Sequence, residues 1–253
     1  MAPDEQRVLE GTPIRLFING EWRDGGAGTL PVEDPATGEV LIEVADASDQ
    51  DAQDALAAAT EAFRTWRHSA PRDRADILRR AYELMIERKA DLAMIMTLEM
   101  GKPLAEAAGE VVYAADYLRW YSEEAVRING RYTNHENGSA RVLTMQQPVG
   151  PCLFITPWNF PLAMGTRKVG PALAAGCTCV VKPAKQTPLS MLAMAQIFED
   201  AGLPAGCLNV LTARASGALM EPLIRDPRVR KLSFTGSTEV GKLLVAQSSE
   251  QLL

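Results

Sequence analysis

Histidine is close to absent from this sequence: His68 and His135 are the whole complement. A metal centre built on imidazole ligands is therefore not expected. Cysteine is scarce too, and poorly spaced for chemistry. Cys152, Cys177, Cys179 and Cys207 make no zinc or redox motif, since one residue separates Cys177 from Cys179 where a CxxC motif has two. Buried free thiols in a reducing compartment are the plain reading. Basic charge is in deficit. With 26 Lys and Arg against 32 Asp and Glu the net charge is −6, which argues against nucleic-acid binding, since that needs a clustered basic face. The acidic balance bears on solubility and names no partner.

No apolar run reaches bilayer-spanning length, and residues 170–181 are interrupted by glycine and proline. The first six residues lack a basic segment leading into an apolar one, so no secretory signal is read. No membrane partner is expected, and the cytoplasm is the expected location. Against these absences stand 253 residues, 47% hydrophobic and 23% charged. That is an ordinary balance for a soluble globular chain long enough to bury a core.

Periodicity gives the first elements. Leu16 to Trp22 alternates across Asn19-Gly20, the signature of a tight hairpin. A second turn at Asp34 to Glu39 leads into a strand-like run at Val40 to Val44. Ser48 with Asp51 gives a capping-box start to an alanine-rich helix ending near Trp66. The recurrence of Ile77, Leu78, Ala81, Tyr82, Met85 and Ile86 predicts one buried stripe on a long helix, about residues 71–100. Gly101 and Pro103 close it. A third helix, about residues 104–127, carries Ala107, Ala108, Ala114 and Ala115 for close packing. Residues 131–145 read as a projecting hairpin with a type I′ turn signal between His135 and Ser139. Such a hairpin is marginal alone and needs a partner surface.

From Pro151 onward the pattern is βα repetition. Strand candidates at residues 152–156, 178–182, 207–211 and 231–235 are joined by helical segments long enough for right-handed crossovers. The expected fold is α/β: a Rossmann-like open parallel sheet flanked by helices, although no GxGxxG fingerprint is present. Residues 148–253 form that region, 128–147 the hairpin, and 1–127 an amino-terminal hairpin and helices packed on the sheet domain.

Three motifs follow the strands in order. They are Ile155-Thr156-Pro157-Trp158-Asn159-Phe160-Pro161, Val181-Lys182-Pro183-Ala184-Lys185-Gln186-Thr187-Pro188, and Phe234-Thr235-Gly236-Ser237-Thr238-Glu239-Val240-Gly241. Open α/β sheets bind ligands at the carboxyl ends of their strands, where these motifs fall. The Asn159 amide, in a proline-rigid loop, could offer an N–H to a developing oxyanion, worth about 3–4 kcal/mol in the transition state. Alternatively it satisfies loop backbone groups. Gly236 and Ser237 open a helix whose N–H groups and dipole favour phosphate, although ordinary helix caps look much the same.

This ordered set resembles the aldehyde dehydrogenase superfamily, across essentially the whole chain. The run Gly165-Thr166-Arg167-Lys168-Val169-Gly170 is most similar to the succinate-semialdehyde dehydrogenase branch. The resemblance implies oxidation of a small aldehyde with NAD(P), and Asn159 as the catalytic oxyanion donor. It places cofactor contacts at Thr156, Pro157, Trp158, Lys182, Ala184, Lys185, Gly236 and Ser237, with Lys182 on the adenosine ribose. Trp158 and Phe160 would shape the pocket. Many NAD-preferring relatives carry an acid where this chain has Lys185. An ammonium there attracts a 2′-phosphate, so NADP is expected ahead of NAD. The alternative is a solvated lysine. Relatives often have glycine at the position of Ala213, where an added methyl would crowd the adenine or ribose. Arg167 matches an arginine that grips the substrate's distal carboxylate, which a guanidinium fork suits. The alternative is a helix-surface arginine in an ion pair of little worth. The hairpin at 128–147 matches one that pairs subunits, implying a homo-oligomer.

In the resembled family the general-base glutamate and nucleophilic cysteine come later in sequence than these motifs. None of the four cysteines has the nucleophile's context, and Glu239 sits in the phosphate turn. The expectation is an amino-terminal part lacking the carboxyl-terminal catalytic domain. It should be inactive alone, with an unpaired strand and an open apolar face. Three readings remain: part of an NADP-dependent succinate-semialdehyde dehydrogenase, a non-catalytic nucleotide- or partner-binding fragment, or part of a dehydrogenase for another aldehyde.

Overall fold

Proline in the first turn and glycine past the last frame an opening helix, α1 (Pro3–Glu10), which the sequence pattern did not reveal. The computed structural model describes residues 2–251. Asn19 and Gly20 both take positive φ, 55° and 78°, and so join β1 (Leu16–Ile18) to β2 (Glu21–Arg23) as the Asn-Gly signal implied. A second antiparallel pair, β3 (Thr29–Glu33) and β4 (Val40–Ala45), follows. The reciprocal cap is formed: Asp51 N–H donates to Ser48 Oγ and Ser48 N–H to Asp51 Oδ2, starting α2 (Asp49–Trp66).

The long helix expected over residues 71–100 is two helices, α3 (Pro71–Glu87) and α4 (Lys89–Met100). Arg88 leaves helical geometry at φ −91° and ψ 15°, and its guanidinium pairs with Asp200 at 2.6 Å. The break redirects α4 so that it packs on α1 and on two later helices, which a straight rod of about 45 Å could not do. The buried stripe of α3 is Arg74, Ala75, Leu78, Ala81, Leu84 and Met85, with Ile77 and Tyr82 half-buried and Ile86 exposed. Then come α5 (Leu104–Glu124) with a 3₁₀ turn (Ala125–Arg127), and the hairpin β5 (Arg131–Asn134) and β6 (Arg141–Thr144). Its tip is not the type I′ turn expected. Gly138 takes φ 71° but Asn137 does not take positive φ, and Gly138 N–H donates to the His135 carbonyl. The extra residues to Ala140 let an ordinary turn followed by a left-handed glycine close the loop.

The remaining elements alternate: β7 (Pro151–Ile155), α6 (Ala163–Ala174), β8 (Thr178–Lys182), α7 (Leu189–Asp200), β9 (Leu208–Val210), α8 (Ser216–Ile224), β10 (Lys231–Phe234) and α9 (Thr238–Ser248). The sheet order is β10-β7-β8-β9-β1-β2. Its first four strands are parallel as expected, but the whole is mixed, because β1 joins β9 antiparallel through Phe17 and Val210. That pairing covers an edge that would otherwise expose unpaired backbone groups. At the opposite edge, β10 has one strand neighbour, β7, among the described residues. One sheet face buries Phe154, Val181 and Val210 with α6 and α7 and the amino-terminal helices behind them. The other buries Leu153, Val180 and Leu211 under α2 and α8, with Leu244 of α9 beside them.

Candidate active site

Strand register brings the three motifs to one rim. Ile155 stands opposite Lys182 across β7 and β8, and opposite Phe234 across β7 and β10. Thr156 N–H donates to the Lys182 carbonyl and Thr235 N–H to the Ile155 carbonyl, each at 3.2 Å. Thr156, Lys182 and Gly236 therefore lie at neighbouring carboxyl ends of a single sheet, the place where such sheets hold ligands.

The loop after β7 presents Asn159 at the surface. Its carbonyl accepts a hydrogen bond from Lys102 Nζ at 3.1 Å, while its side-chain amide is bonded to nothing among the described residues. The amide thus does not serve loop backbone groups. Pro157 is half-buried, and Trp158 and Phe160 flank Asn159 as exposed aromatics. Thr156 is buried and its hydroxyl has no partner among the described residues.

Lys182 is 4% exposed, and its ammonium donates to Ser216 Oγ at the start of α8. Burial, with the nearby charge of Lys185 second, pulls its pKa down to about 8. Ala184 is half-buried and Lys185 exposed. Lys185 borders a cavity of about 300 Å³ together with Gln186, Arg214, Glu33 and Glu99. Ala213, beside Arg214, is fully buried.

Ser237 caps α9, its Oγ accepting Val240 N–H at 3.3 Å. The Phe234 ring lies against the bare backbone of Gly236: a Cβ there would fall 2.3 Å from Phe234 Cζ, so the half-buried ring would have to move aside for any other residue. Gly236 and Ser237 open onto a groove of about 700 Å³ walled by Leu232, Phe234, Leu244 and Val245. Val240, Leu243 and Val245 are exposed on α9, as an uncovered apolar surface.

Arg167, one helix face beyond the Asn159 loop, makes no ion pair among the described residues. Its guanidinium lies 5.8 Å from the ring centre of Tyr117 on α5, and Nη1 approaches Met164 Sδ at 3.8 Å. Lys168, next to it, is buried, donates to Ser233 Oγ at 2.9 Å, and is lowered to about pKa 8 by burial. The four cysteines are all free and buried, at or before the amino ends of β7, β8 and β9, on the edge opposite the rim. Burial pushes Cys207 up to about 12. Among the described residues no group of three or more His, Cys, Asp or Glu is placed to hold a metal, and no helix is long and apolar enough to cross a membrane.

A sequence model of the aldehyde dehydrogenase family matches residues 22–253. The chain belongs to that family. A succinate-semialdehyde dehydrogenase of Paenarthrobacter nicotinovorans is 56% identical to it over 214 residues, covering 85% of this chain and 48% of that protein. A glutarate-semialdehyde dehydrogenase of Pseudomonas aeruginosa is 48% identical, over 94% of this chain and 49% of that protein. The crystal structure of an NADP-dependent enzyme from Escherichia coli superposes with a TM-score of 0.93 at 48% identity, over 95% of this chain and 50% of that one. The chain spans about half the length of the curated relatives it matches. It thus has the aldehyde dehydrogenase fold over these residues.

Several residues around this rim escaped the sequence reading. Ser216 and Arg214 reach Lys182 and Lys185 only through the fold, and no local pattern announced them. Glu110 left a trace: a carboxylate on the same stripe as Ala107, Val111 and Ala114 must find partners when that stripe is buried.

Proposed function

We propose that these residues form the cofactor-binding part of an NADP-dependent dehydrogenase for a carboxylated aldehyde, succinic semialdehyde first. The observation that carries this is the shared rim: an unengaged Asn159 amide, the buried Lys182 ammonium and the α9 amino end. A dinucleotide fits the groups left open there. Lys182 is buried, and among the described residues it has no carboxylate partner and the N–H groups of Thr238 and Glu239, the first two of α9, have no acceptor. Those N–H groups and the dipole behind them suit a pyrophosphate. Lys182 with Ser216 would hold the ribose, and Lys185 and Arg214 put two cations on a cavity beside its 2′ side that Glu33 and Glu99 also border. When bound, NADP supplies the hydride acceptor.

The chain's own residues do the rest of the positioning. The Asn159 amide donates to the carbonyl oxygen as a thiolate attacks and charge develops there. Arg167, stacked on Tyr117 and lacking a carboxylate of its own, takes the substrate's distal carboxylate in its fork. The attacking thiolate is not one of the four described cysteines, which lie at the other edge of the sheet. On this reading residues 1–253 alone do not oxidise aldehydes. The exposed hairpin β5–β6 pairs subunits into a homo-oligomer, and buried free thiols fit a reducing cytoplasm.

A second reading, glutaric semialdehyde, is favoured by the similarity to the Pseudomonas aeruginosa enzyme. It keeps the carboxylate and adds one methylene, which a pocket discriminates by only about 1–3 kcal/mol. Steady-state kinetics of the full-length protein with both semialdehydes, a neutral aldehyde, NADP and NAD decide among these. The first reading expects the highest kcat/KM for succinic semialdehyde with NADP. Equal rates with the neutral aldehyde remove the carboxylate role, and full activity of Asn159→Ala removes the oxyanion role.

A further inference from the structure

A buried ion pair lies directly behind the Asn159 loop. Glu110 of α5 and Lys102, just before that helix, are bonded to each other with side chains 1% and 8% exposed. Isolated charges do not survive such burial without full hydrogen bonding, and here each partner spends its remaining capacity on one short segment. Glu110 Oε1 accepts the N–H groups of Leu162 and Ala163, both at 3.1 Å. Those are the first amides of α6, whose own cap residue, Leu162, supplies no side-chain bond. The carboxylate therefore caps α6 from another helix, where the dipole favours an anion. Lys102 Nζ reaches the other side of the segment. It donates to the Asn159 carbonyl at 3.1 Å and stands 4.3 Å from the Phe160 ring centre.

These contacts leave little freedom to residues 157–163. Pro157 and Pro161 restrict two φ angles, the ammonium holds the Asn159 carbonyl and faces the Phe160 ring, and the carboxylate holds the backbone at 162 and 163. Among the described residues the Asn159 side-chain amide and the Trp158 indole N–H are the side-chain polar groups of this segment without a partner, and of the two only the amide is of a kind to serve an oxyanion beside the rim. We propose that Glu110 and Lys102 are positioning residues for the reaction, clamping the backbone on both sides of Asn159 so that its amide is held where the oxyanion forms. This rests on the oxyanion role given to Asn159 above. Stability alone is a poor explanation of the pair, since well-packed apolar residues of the same size usually stabilise a core at least as well.

The test uses the full-length protein. Removing one charge would strand the other in the core, so the working variant replaces both, Lys102→Met with Glu110→Gln. It keeps the Phe160 packing and an oxygen for the α6 amides. Expected is a fall in kcat on the order of 10²-fold, as for a reacting group displaced by about 1 Å, with nucleotide Kd changed less than about twofold. Hydrogen exchange of the peptide spanning 157–165 should accelerate, a readout independent of turnover. Lys102→Arg, which keeps the cation, should recover most of kcat.

The decisive measurement repeats the double replacement in an Asn159→Ala background. If the pair acts through Asn159, the further loss there is less than about threefold. A loss that multiplies in full, or an unchanged kcat in the double variant, overturns the proposal. Wild-type kcat in Asn159→Ala alone is a separate failure: it removes the oxyanion reading, and the clamp's purpose with it.

Discussion

Glu99 and Leu189 stand 90 positions apart in sequence and are joined by a hydrogen bond of 2.7 Å, the Leu189 N–H donating to the carboxylate. Ser190 N–H donates to the other oxygen at 2.9 Å, so Glu99 caps α7 from α4 as Glu110 caps α6 from α5. The amino-terminal helices thus finish the crossover helices on one face of the sheet. Two buried carboxylates do this work where the local sequence offers only Pro188 and Leu162 as caps.

Full burial raises the Glu99 pKa from 4.5 to about 7, against the opposing bonds from Ser190 and Leu189. The folded value lies above the unfolded one. The stabilisation is therefore complete below about pH 4.5 and is lost as pH rises through about 7, by on the order of 3 kcal/mol. Glu99→Gln removes the titration. Urea unfolding of both forms at pH 5 and pH 8 should show the wild type losing stability relative to the variant at the higher pH. A difference independent of pH contradicts the assignment.

Lys185 and Arg214 border the same cavity, with the buried Lys182 alongside. Lys185→Glu places a carboxylate where a 2′-phosphate would lie. NADP affinity should fall about tenfold or more, while NAD affinity holds or rises. Calorimetric titration with both nucleotides gives the ratio directly, and a ratio unmoved by the substitution returns Lys185 to solvent.

The strand ends were legible in the sequence, because apolar runs ending near Ile155, Lys182 and Phe234 carry a local strand signal, whereas Asn159 was singled out only by the family resemblance. What was illegible depends on long-range placement. Phe17 pairing with Val210 turned a parallel sheet into a mixed one, and nothing in residues 16–18 specifies that edge. The bend at Arg88 answers to Asp200, far along the chain. Apolar periodicity continues through it, so the spacing alone read as one helix. Lys102 and Glu110 were hidden for a similar reason: their partners lie about 50 residues on, in the loop that they hold.

Arg167 supplies a sharper test of substrate chemistry. With its guanidinium over Tyr117 and no acidic partner among the described residues, replacement by alanine costs little stability but removes two parallel donors. In the full-length protein Arg167→Ala should lower kcat/KM for succinic semialdehyde by about 10- to 100-fold. Butyraldehyde, the same length without the carboxylate, should change by less than about threefold. Equal losses on both substrates would place Arg167 in the scaffold.

The exposed hairpin makes a prediction about assembly. Tyr132 and Leu143 are directly opposed across β5 and β6, and are 67% and 65% exposed. A two-stranded ribbon with so large an apolar pair in solvent is poorly stabilised alone, and a matching surface on another subunit would bury both. Leu143→Glu puts a charge into that contact, which an interface cannot desolvate without a partner. Sedimentation of the full-length protein at micromolar concentration should show the wild type as an oligomer and Leu143→Glu shifted to smaller species. Because β5 and β6 contribute nothing to either buried core, thermal unfolding of the dissociated subunit should still be cooperative. An oligomer of undiminished mass in the variant would mean that the subunits meet elsewhere.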